Sequence, residues 1–374
     1  MTRPRILHLI HHLRIGGAET LLVELLPRLE EAGFDVHVAC LDDRGPLFEE
    51  LQRRSIQAHF IGRKRGLDPV AVWRLVRLLR NLRIDILNTH SFSAGLWGRI
   101  AAILARTPHI VTTIHTVAGW SQSLKQRIGN RLLQPFTDRI VAVSESVRRS
   151  LIRQGLPRDA IQVIYNGIRV EGFRRSTSVA VDRKRLGLHP EGCLIGMIGR
   201  CSPEKGGFDW VQMMAHLARR DARVHGVLVG NGPEQASWQA LATALGVADR
   251  IRFVGIKTDI APWLAIMDVL VCPSIQESFG IAALEAQAAG VPVVATRVDG
   301  FLEALHDGED ALLVDPGNAA GMAEAVQSML ASNDMASKLT DGGRKNVARF
   351  GIDKTVQQYA ALYKKLLGAQ NTKS

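Results

Sequence analysis
Short, nearly continuous apolar runs recur along this 374-residue chain, with longer helix-patterned stretches between them. In the first half they are RILHLIHHL (5–13), VHVACL (36–41), QAHFIG (57–62), ILNTH (86–90), HIVTTIHT (109–116), RIVAVS (139–144) and IQVIYNG (161–167). The second half repeats the scheme with LIGMIGR (194–200), HGVLVG (225–230), IRFVGI (251–256), VLVCPS (269–274), PVVAT (292–296) and ALLVDP (311–316). Runs of this kind are strands buried on both faces, and such strands form parallel sheets covered by helices. The intervening patterns fit, as in AETLLVELLPRLEEAG (18–33), which stops at Gly33 as a helix should. Two such series in one chain predict two doubly wound, Rossmann-like α/β domains. The length agrees, because domains of about 150–200 residues are usual and one core seldom serves more. The seam is expected near 168–190, where RVEGFRRSTSVAVDRKRLGLHPEG loses periodicity and turns polar. The tail, DKTVQQYAALYKKLLG (353–368), reads as one more amphipathic helix.

Several classes of protein are poor readings. The N-terminal stretch MTRPRILHLIHHLRIGG is interrupted by His8, His11, His12 and Arg14, too short and polar for a signal peptide or a membrane span. A cytoplasmic protein is therefore expected. Cys40, Cys193, Cys201 and Cys272 form no CxxC pair and read as reduced core thiols. No HExxH or similar metal spacing occurs, and neither IGGAET (15–20) nor GNGPEQ (230–235) has the GxGxxG spacing of a dinucleotide fold.

Charge is lopsided. Residues 1–185 carry 30 Lys and Arg against 16 Asp and Glu, whereas the remainder carries 17 against 20. Such asymmetry points to an anionic partner that meets the first half alone. Nucleic acid is not expected, since no helix-turn-helix, zinc finger or aromatic RNA-binding signature accompanies the charge.

In open α/β sheets the ligand sits outside the carboxyl ends of the strands. Chemically unusual residues cluster at those ends: Gly16, Gly17, His90, His115, Ser144, Asn166, Gly167, Arg200, Gly230, Asn231, Gly232 and Glu277. The strongest segment is CPSIQESFGIAALEAQAAGVPVVAT (272–296). A strand ends near Ser274, a loop carries Glu277, and Ser278 is expected to cap a helix that starts near Phe279 and Gly280. On that helix Ile281, Leu284, Glu285 and Ala288 share one face, and a carboxylate in an apolar stripe needs a partner, either a ligand or a salt bridge. The helix start is also a ready phosphate site. In GRCSPEKGGFD (199–209), Arg200 and Lys205 lie on a loop that can aim both cations at one diphosphate, or simply at solvent. His8, His11 and His12 read as core or edge residues, whereas His115 ends a strand at the predicted ligand edge.

In sum the chain resembles a retaining glycosyltransferase of family 4, with the GT-B fold of two Rossmann-like domains whose parallel sheets face across a cleft. The resemblance rests on GGAE, TIHT, VSES, YNGI, GRxxPEKGG, LVGNGPE, the E-x7-E segment from Glu277 to Glu285, and VDGFLEALHDGEDALLVDPGN, in order over almost the whole length. It implies an acceptor domain over 1–175, a nucleotide-sugar domain over 176–352, and a helix over 353–374 returning to the first. By resemblance Glu277 binds hydroxyls of the donor sugar, Glu285 the ribose, and Arg200 and Lys205 the diphosphate. His115 matches a sugar-contacting histidine. The implied donor-binding set is completed by Gly16, Gly17, Asn166, Gly199, Gly230, Asn231, Phe279, Gly280 and Ile281.

The resemblance further implies a metal-free, front-face transfer from a uridine diphosphate sugar or guanosine diphosphate mannose, with no cofactor. The basic half then suits a glycan or lipid-linked acceptor. VAVWRLVRLLRNLR (70–83) and GWSQSLKQRIGNRLLQPF (119–136) mix arginines with apolar residues, which makes an anionic membrane surface a candidate partner. A sugar-nucleotide epimerase of the same architecture and a non-catalytic sugar-nucleotide binder are the alternatives.

Overall fold
The computed structural model describes residues 3–64, 66–117, 124–173 and 178–368. It divides into two compact units, one of residues 1–167 with 352–374 and the other of residues 168–351.

Unit 1 is built on seven strands: β1 (Arg5–His12), β2 (Asp35–Asp43), β3 (Gln57–Phe60), β4 (Ile86–His90), β5 (His109–Ile114), β6 (Arg139–Ala142) and β7 (Ile161–Val163). They lie in the order β3-β2-β1-β4-β5-β6-β7, every pairing parallel. Successive side chains of a strand point to opposite faces. In β1, Ile6 and Ile10 therefore join the core on one side of the sheet, and Leu7 and Leu9 join the core on the other. Burial on both sides is the reason these strands show no polar alternation.

Besides the short helix Gly45–Arg53, two helices complete the first of those cores. Helix Gly17–Glu31 contains Pro27, which has no N–H to give the carbonyl of Val23 one turn back. Arg54 fills the gap by donating from Nη1 to that carbonyl at 3.3 Å, while Glu50 and Glu24 hold its guanidinium. The second is the C-terminal helix Ile352–Gly368, which packs into unit 1 through Ile352, Val356, Tyr359, Leu362 and Tyr363.

Unit 2 has six parallel strands: β8 (Cys193–Ile198), β9 (Val224–Val229), β10 (Ile251–Gly255), β11 (Val269–Cys272), β12 (Val293–Thr296) and β13 (Leu312–Val314). Their order is β10-β9-β8-β11-β12-β13. Part of the polar stretch expected as a linker is the helix Val179–Arg185, fastened to this unit by a buried arginine. Arg183 donates to the Ile266 carbonyl at 2.8 and 3.1 Å, to the Gly192 carbonyl at 2.8 Å, and to Asp268 Oδ2 at 2.7 Å. A single buried guanidinium with its N–H groups met holds the segment without any apolar stripe, so periodicity gave no sign of it.

Each sheet reverses its strand order once, between β1 and β4 in unit 1 and between β8 and β11 in unit 2. That reversal opens a crevice beyond the carboxyl ends of the two strands, and it is where open sheets bind ligands.

Candidate active site
In unit 2 the loops that follow β8 and β11 are knitted together. The Glu204 carbonyl accepts from the N–H groups of Ile275 (2.9 Å) and Gln276 (3.3 Å), and Thr296 Oγ1 donates to the Ser274 carbonyl. Gly206 makes the close approach possible. Its φ is +67°, and a Cβ there would lie 1.9 Å from the Pro273 carbonyl oxygen, so neither the conformation nor the space admits a larger residue.

The result is an ion pair across the two loops. Lys205 Nζ donates to Glu277 Oε2 at 2.5 Å, and the Ser274 hydroxyl reaches the same oxygen at 3.4 Å. Glu277 Oε1 accepts from the Ser278 N–H at 3.0 Å. Burial works against the ammonium of Lys205, but the adjoining carboxylate outweighs it and holds its pKa above the usual lysine value. Sequence reading gave these residues separate tasks; folding joins them in one charged couple 72 positions apart in the chain.

Next along the chain comes helix Ile281–Ala288, and its start differs from expectation. Ser278 is not the cap. Gly280 is, at φ +92°, with no side chain bonding the first turn. A Cβ on Gly280 would meet the Phe301 ring at 2.5 Å, and that packing selects glycine where a serine cap would otherwise serve. Phe279 is buried edge-to-face against Phe350. Ile281, Glu285 and Ala288 lie along the half-buried edge of the helix, whereas Leu284, expected beside them, turns fully inward with Ala283. Among the described residues no hydrogen bond or ion pair reaches the Glu285 carboxylate, and burial pushes its pKa up to about 8. The opposite side of the helix is anchored by Gln287, which donates to Asp310 and accepts from Asn346.

Arg200 follows β8, exposed, with no side-chain partner among the described residues. Backbone bonds shape the ground beside it: the Gly199 N–H donates to the Val229 carbonyl, the Gly230 N–H to the Gly255 carbonyl, and the Cys201 N–H to the Asn231 carbonyl, each at 3.0 Å. Unit 2 thus gathers Gly199, Arg200, Lys205, Gly230, Asn231, Glu277, Phe279, Gly280, Ile281 and Glu285 beyond the ends of β8, β9 and β11.

Unit 1 holds the remaining expected residues. Gly16 precedes helix Gly17–Glu31 in extended backbone, and no side chain caps that helix. The Glu19 carboxyl, pushed up to about 7 by burial, folds back so closely that a Cβ on Gly16 would lie 2.5 Å from its Oε2. Asn166 is buried beyond β7. Ser144, expected at the ligand edge, caps helix Glu145–Arg153 by accepting from the Val147 N–H. His115 stands half-buried just past β5, and its Nε2 lies 3.0 Å from His90 Nδ1. His8, expected as a core residue, is fully buried yet bonded to His90, a link between strands that no single-strand pattern displays. Of the basic segment 119–136, Trp120 and the side chains of Leu124, Lys125 and Arg127 lie outside the described residues. Among the described residues no group of three or more His, Cys, Asp or Glu side chains is placed to hold a metal ion, and no helix is long and apolar enough to cross a membrane.

Two family models match the chain: Glycosyltransferase Family 4 over residues 15–171, and Glycosyl transferases group 1 over residues 179–346. A D-inositol 3-phosphate glycosyltransferase of Streptomyces bingchenggensis is 32% identical over 303 residues, covering 75% of this chain and 66% of that relative. A lipopolysaccharide core biosynthesis glycosyltransferase of Rhizobium meliloti is 36% identical over 185 residues, covering 49% of this chain and 53% of its own. Among solved structures, the Anabaena protein HepE in complex with UDP and glucose superposes with a TM-score of 0.87 at 24% identity, covering 97% of this chain and 100% of HepE.

The unpaired Glu285 carboxyl makes a prediction about pH. Its folded pKa lies above the unfolded one, so its contribution to stability is intact below about pH 4.5 and is lost as the pH rises through about 8. Glu285→Gln should therefore raise the urea midpoint of unit 2 relative to wild type at pH 8.5 but not at pH 4.5. An equal difference at both pH values contradicts a buried, unpaired carboxyl.

Proposed function
The chain belongs to glycosyltransferase family 4, with the GT-B fold, and from that membership we propose that it transfers a hexosyl unit from a nucleoside diphosphate sugar to a hydroxyl of an anionic glycan or lipid-linked acceptor, with retention of configuration and without a metal. The observation that carries this reading is the Lys205–Glu277 ion pair at the strand reversal of unit 2. Breaking the anomeric C–O bond leaves a nucleoside diphosphate with growing negative charge. Lys205 is kept charged by Glu277, Arg200 has no side-chain partner among the described residues, and the start of helix Ile281–Ala288, with no side-chain cap, offers N–H groups. Donors set in place before reaction supply about 3–4 kcal/mol each to such a transition state.

Glu277 has lone pairs left to accept from sugar hydroxyls while it holds Lys205. Glu285, with no partner among the described residues, accepts from the ribose hydroxyls. Neither is the nucleophile. A covalent route needs two carboxylates about 5 Å apart across the scissile bond, and Glu277 is committed to a cation. The acceptor oxygen attacks from the face that the diphosphate leaves, and its proton passes to a donor phosphate oxygen. In unit 1, Gly16 and Gly17 let a substrate phosphate approach the backbone, and His115 contacts a substrate oxygen.

The acceptor reading is supported by the basic first half of the chain and by the acidic or lipid-borne acceptors in the names of the relatives, inositol 3-phosphate and lipopolysaccharide core. For the membrane surface the support is local. On helix Pro69–Asn81 Val70 and Trp73 are exposed beside Leu67, with the Arg77 guanidinium 5.5 Å from the Trp73 ring. Sedimentation with anionic liposomes is expected at low salt and lost at high salt; no binding at either salt removes the membrane from the account.

Transfer is tested with a radiolabelled donor, chosen from UDP-sugars and GDP-mannose by thermal-shift screening, with EDTA present throughout. Lys205→Ala and Glu277→Ala should each reduce transfer at least about a hundredfold. Near-normal transfer in both variants, dependence on added metal, or an epimerised nucleotide sugar as the product overturns the reading.

A further inference from the structure
A buried row of polar side chains crosses unit 1 on the face of the sheet that helix Ile352–Gly368 covers. It runs over three adjacent strands, with His8 on β1, Asn88 and His90 on β4, and Thr113 and His115 on or just past β5. His8 and Asn88 are register partners, as are His90 and Thr113. From the helix, Tyr359 and Tyr363 reach into the row. Thr113 Oγ1 lies 3.2 Å from the Tyr359 hydroxyl and donates to Asn88 Oδ1 at 3.0 Å, and Asn88 Nδ2 donates to the Tyr363 hydroxyl oxygen at 2.8 Å. Three contacts between rings follow. The Tyr363 hydroxyl is 3.3 Å from His8 Nε2, His8 Nδ1 is 2.9 Å from His90 Nε2, and His90 Nδ1 is 3.0 Å from His115 Nε2. The row ends at His115 Nδ1, which is buried and has no partner among the described residues.

Burial keeps these rings neutral, pushing His8 down to about 3 and His115 to about 4, and lowering His90 with help from its two neighbours. A neutral imidazole has one N–H and one lone pair, so the direction of one bond dictates the next. The direction is set at Asn88. Because its Nδ2 donates to Tyr363, the tyrosine turns its own proton to His8 Nε2. His8 then donates from Nδ1 to His90, and His90 from Nδ1 to His115 Nε2. The last ring must carry its proton on Nδ1, where no acceptor among the described residues meets it.

We propose that Asn88, Tyr363, His8 and His90 are positioning residues that hold His115 in the Nδ1–H tautomer, so that it presents a fixed hydrogen-bond donor to a hydroxyl oxygen of the substrate. The proposal rests on the reading of His115 as a substrate contact, and it extends the site machinery to the C-terminal helix. With the opposite polarity His115 would only accept at Nδ1. A donor there suits a hydroxyl oxygen, which keeps its lone pairs throughout, and not the ring oxygen, which loses electron density as the anomeric C–O bond breaks.

The tautomer can be read without any substrate. In the full chain labelled with 15N-histidine, long-range 1H–15N spectra should show His115 neutral and protonated on Nδ1, its signals assigned by their loss in His115→Gln. Tyr363→Phe keeps the ring and removes the hydroxyl that links Asn88 to His8; it should give signals of both tautomers at His115 and lower kcat for transfer about tenfold. A His115 protonated on Nε2 in the wild-type protein overturns the proposal whether or not any variant folds. So does Tyr363→Phe that scrambles the tautomers while transfer stays normal. Failure to detect transfer by the wild-type protein overturns the proposed function instead and leaves the tautomer reading standing.

Discussion
Where Lys205 meets Glu277, 72 residues further along the chain, two loops are held in a single geometry. Taking an ammonium and a carboxylate out of water is costly, and the cost is recovered only when the two are close and their other hydrogen-bonding positions are met. Ser274 and the Ser278 N–H meet two of those of Glu277 and leave acceptor capacity over. The surrounding backbone is shaped to permit the contact. Gly206 lets one loop press onto Pro273, and Gly300 leaves room for the Glu277 carbonyl, which a Cβ there would approach to 2.5 Å. Removing either partner would strand a charge in a half-closed crevice, so the pair constrains the structure of the site as well as its chemistry.

Unit 1 solves a different problem by a related method. Its sheet carries polar groups through a core that is otherwise apolar, and each up to the His115 ring is met by the next across neighbouring strands or from the C-terminal helix. Such a row tolerates little slack, because an unmet polar group in a dry interior costs about as much as a hydrogen bond gains. Tyr359 and Tyr363 close the row from a helix that lies at the far end of the sequence. The C-terminal helix therefore contributes polar order to unit 1 as well as apolar cover.

Much of the fold was legible because buried parallel strands announce themselves as unbroken apolar runs. Every strand of both sheets coincides with a run marked in the sequence, with β2, β8 and β9 reaching one or two residues beyond it. The site was legible as a set of residues at strand ends, and the strand reversals place most of that set beyond the right edges. What the residues do to one another was not. Lys205 and Glu277 sit in separate motifs, and nothing local signals that they touch. Ser278 looked like a helix cap because its type favours that role, but Gly280, pressed against Phe301, took it. Arg183 was passed over in a polar stretch because one buried guanidinium leaves no periodic trace. The histidine row was visible only strand by strand, since its order depends on register across β1, β4 and β5.

The central claim is that the crevice of unit 2 grips a nucleoside diphosphate sugar through the Lys205–Glu277 couple. A crystal structure of the protein with such a donor tests it most directly. The account predicts the diphosphate within hydrogen-bonding distance of Lys205 and Arg200, sugar hydroxyls on Glu277, and the ribose on Glu285, with the ion pair retained. A donor bound elsewhere, or bound in that crevice with no contact to Lys205 or Glu277, would contradict it.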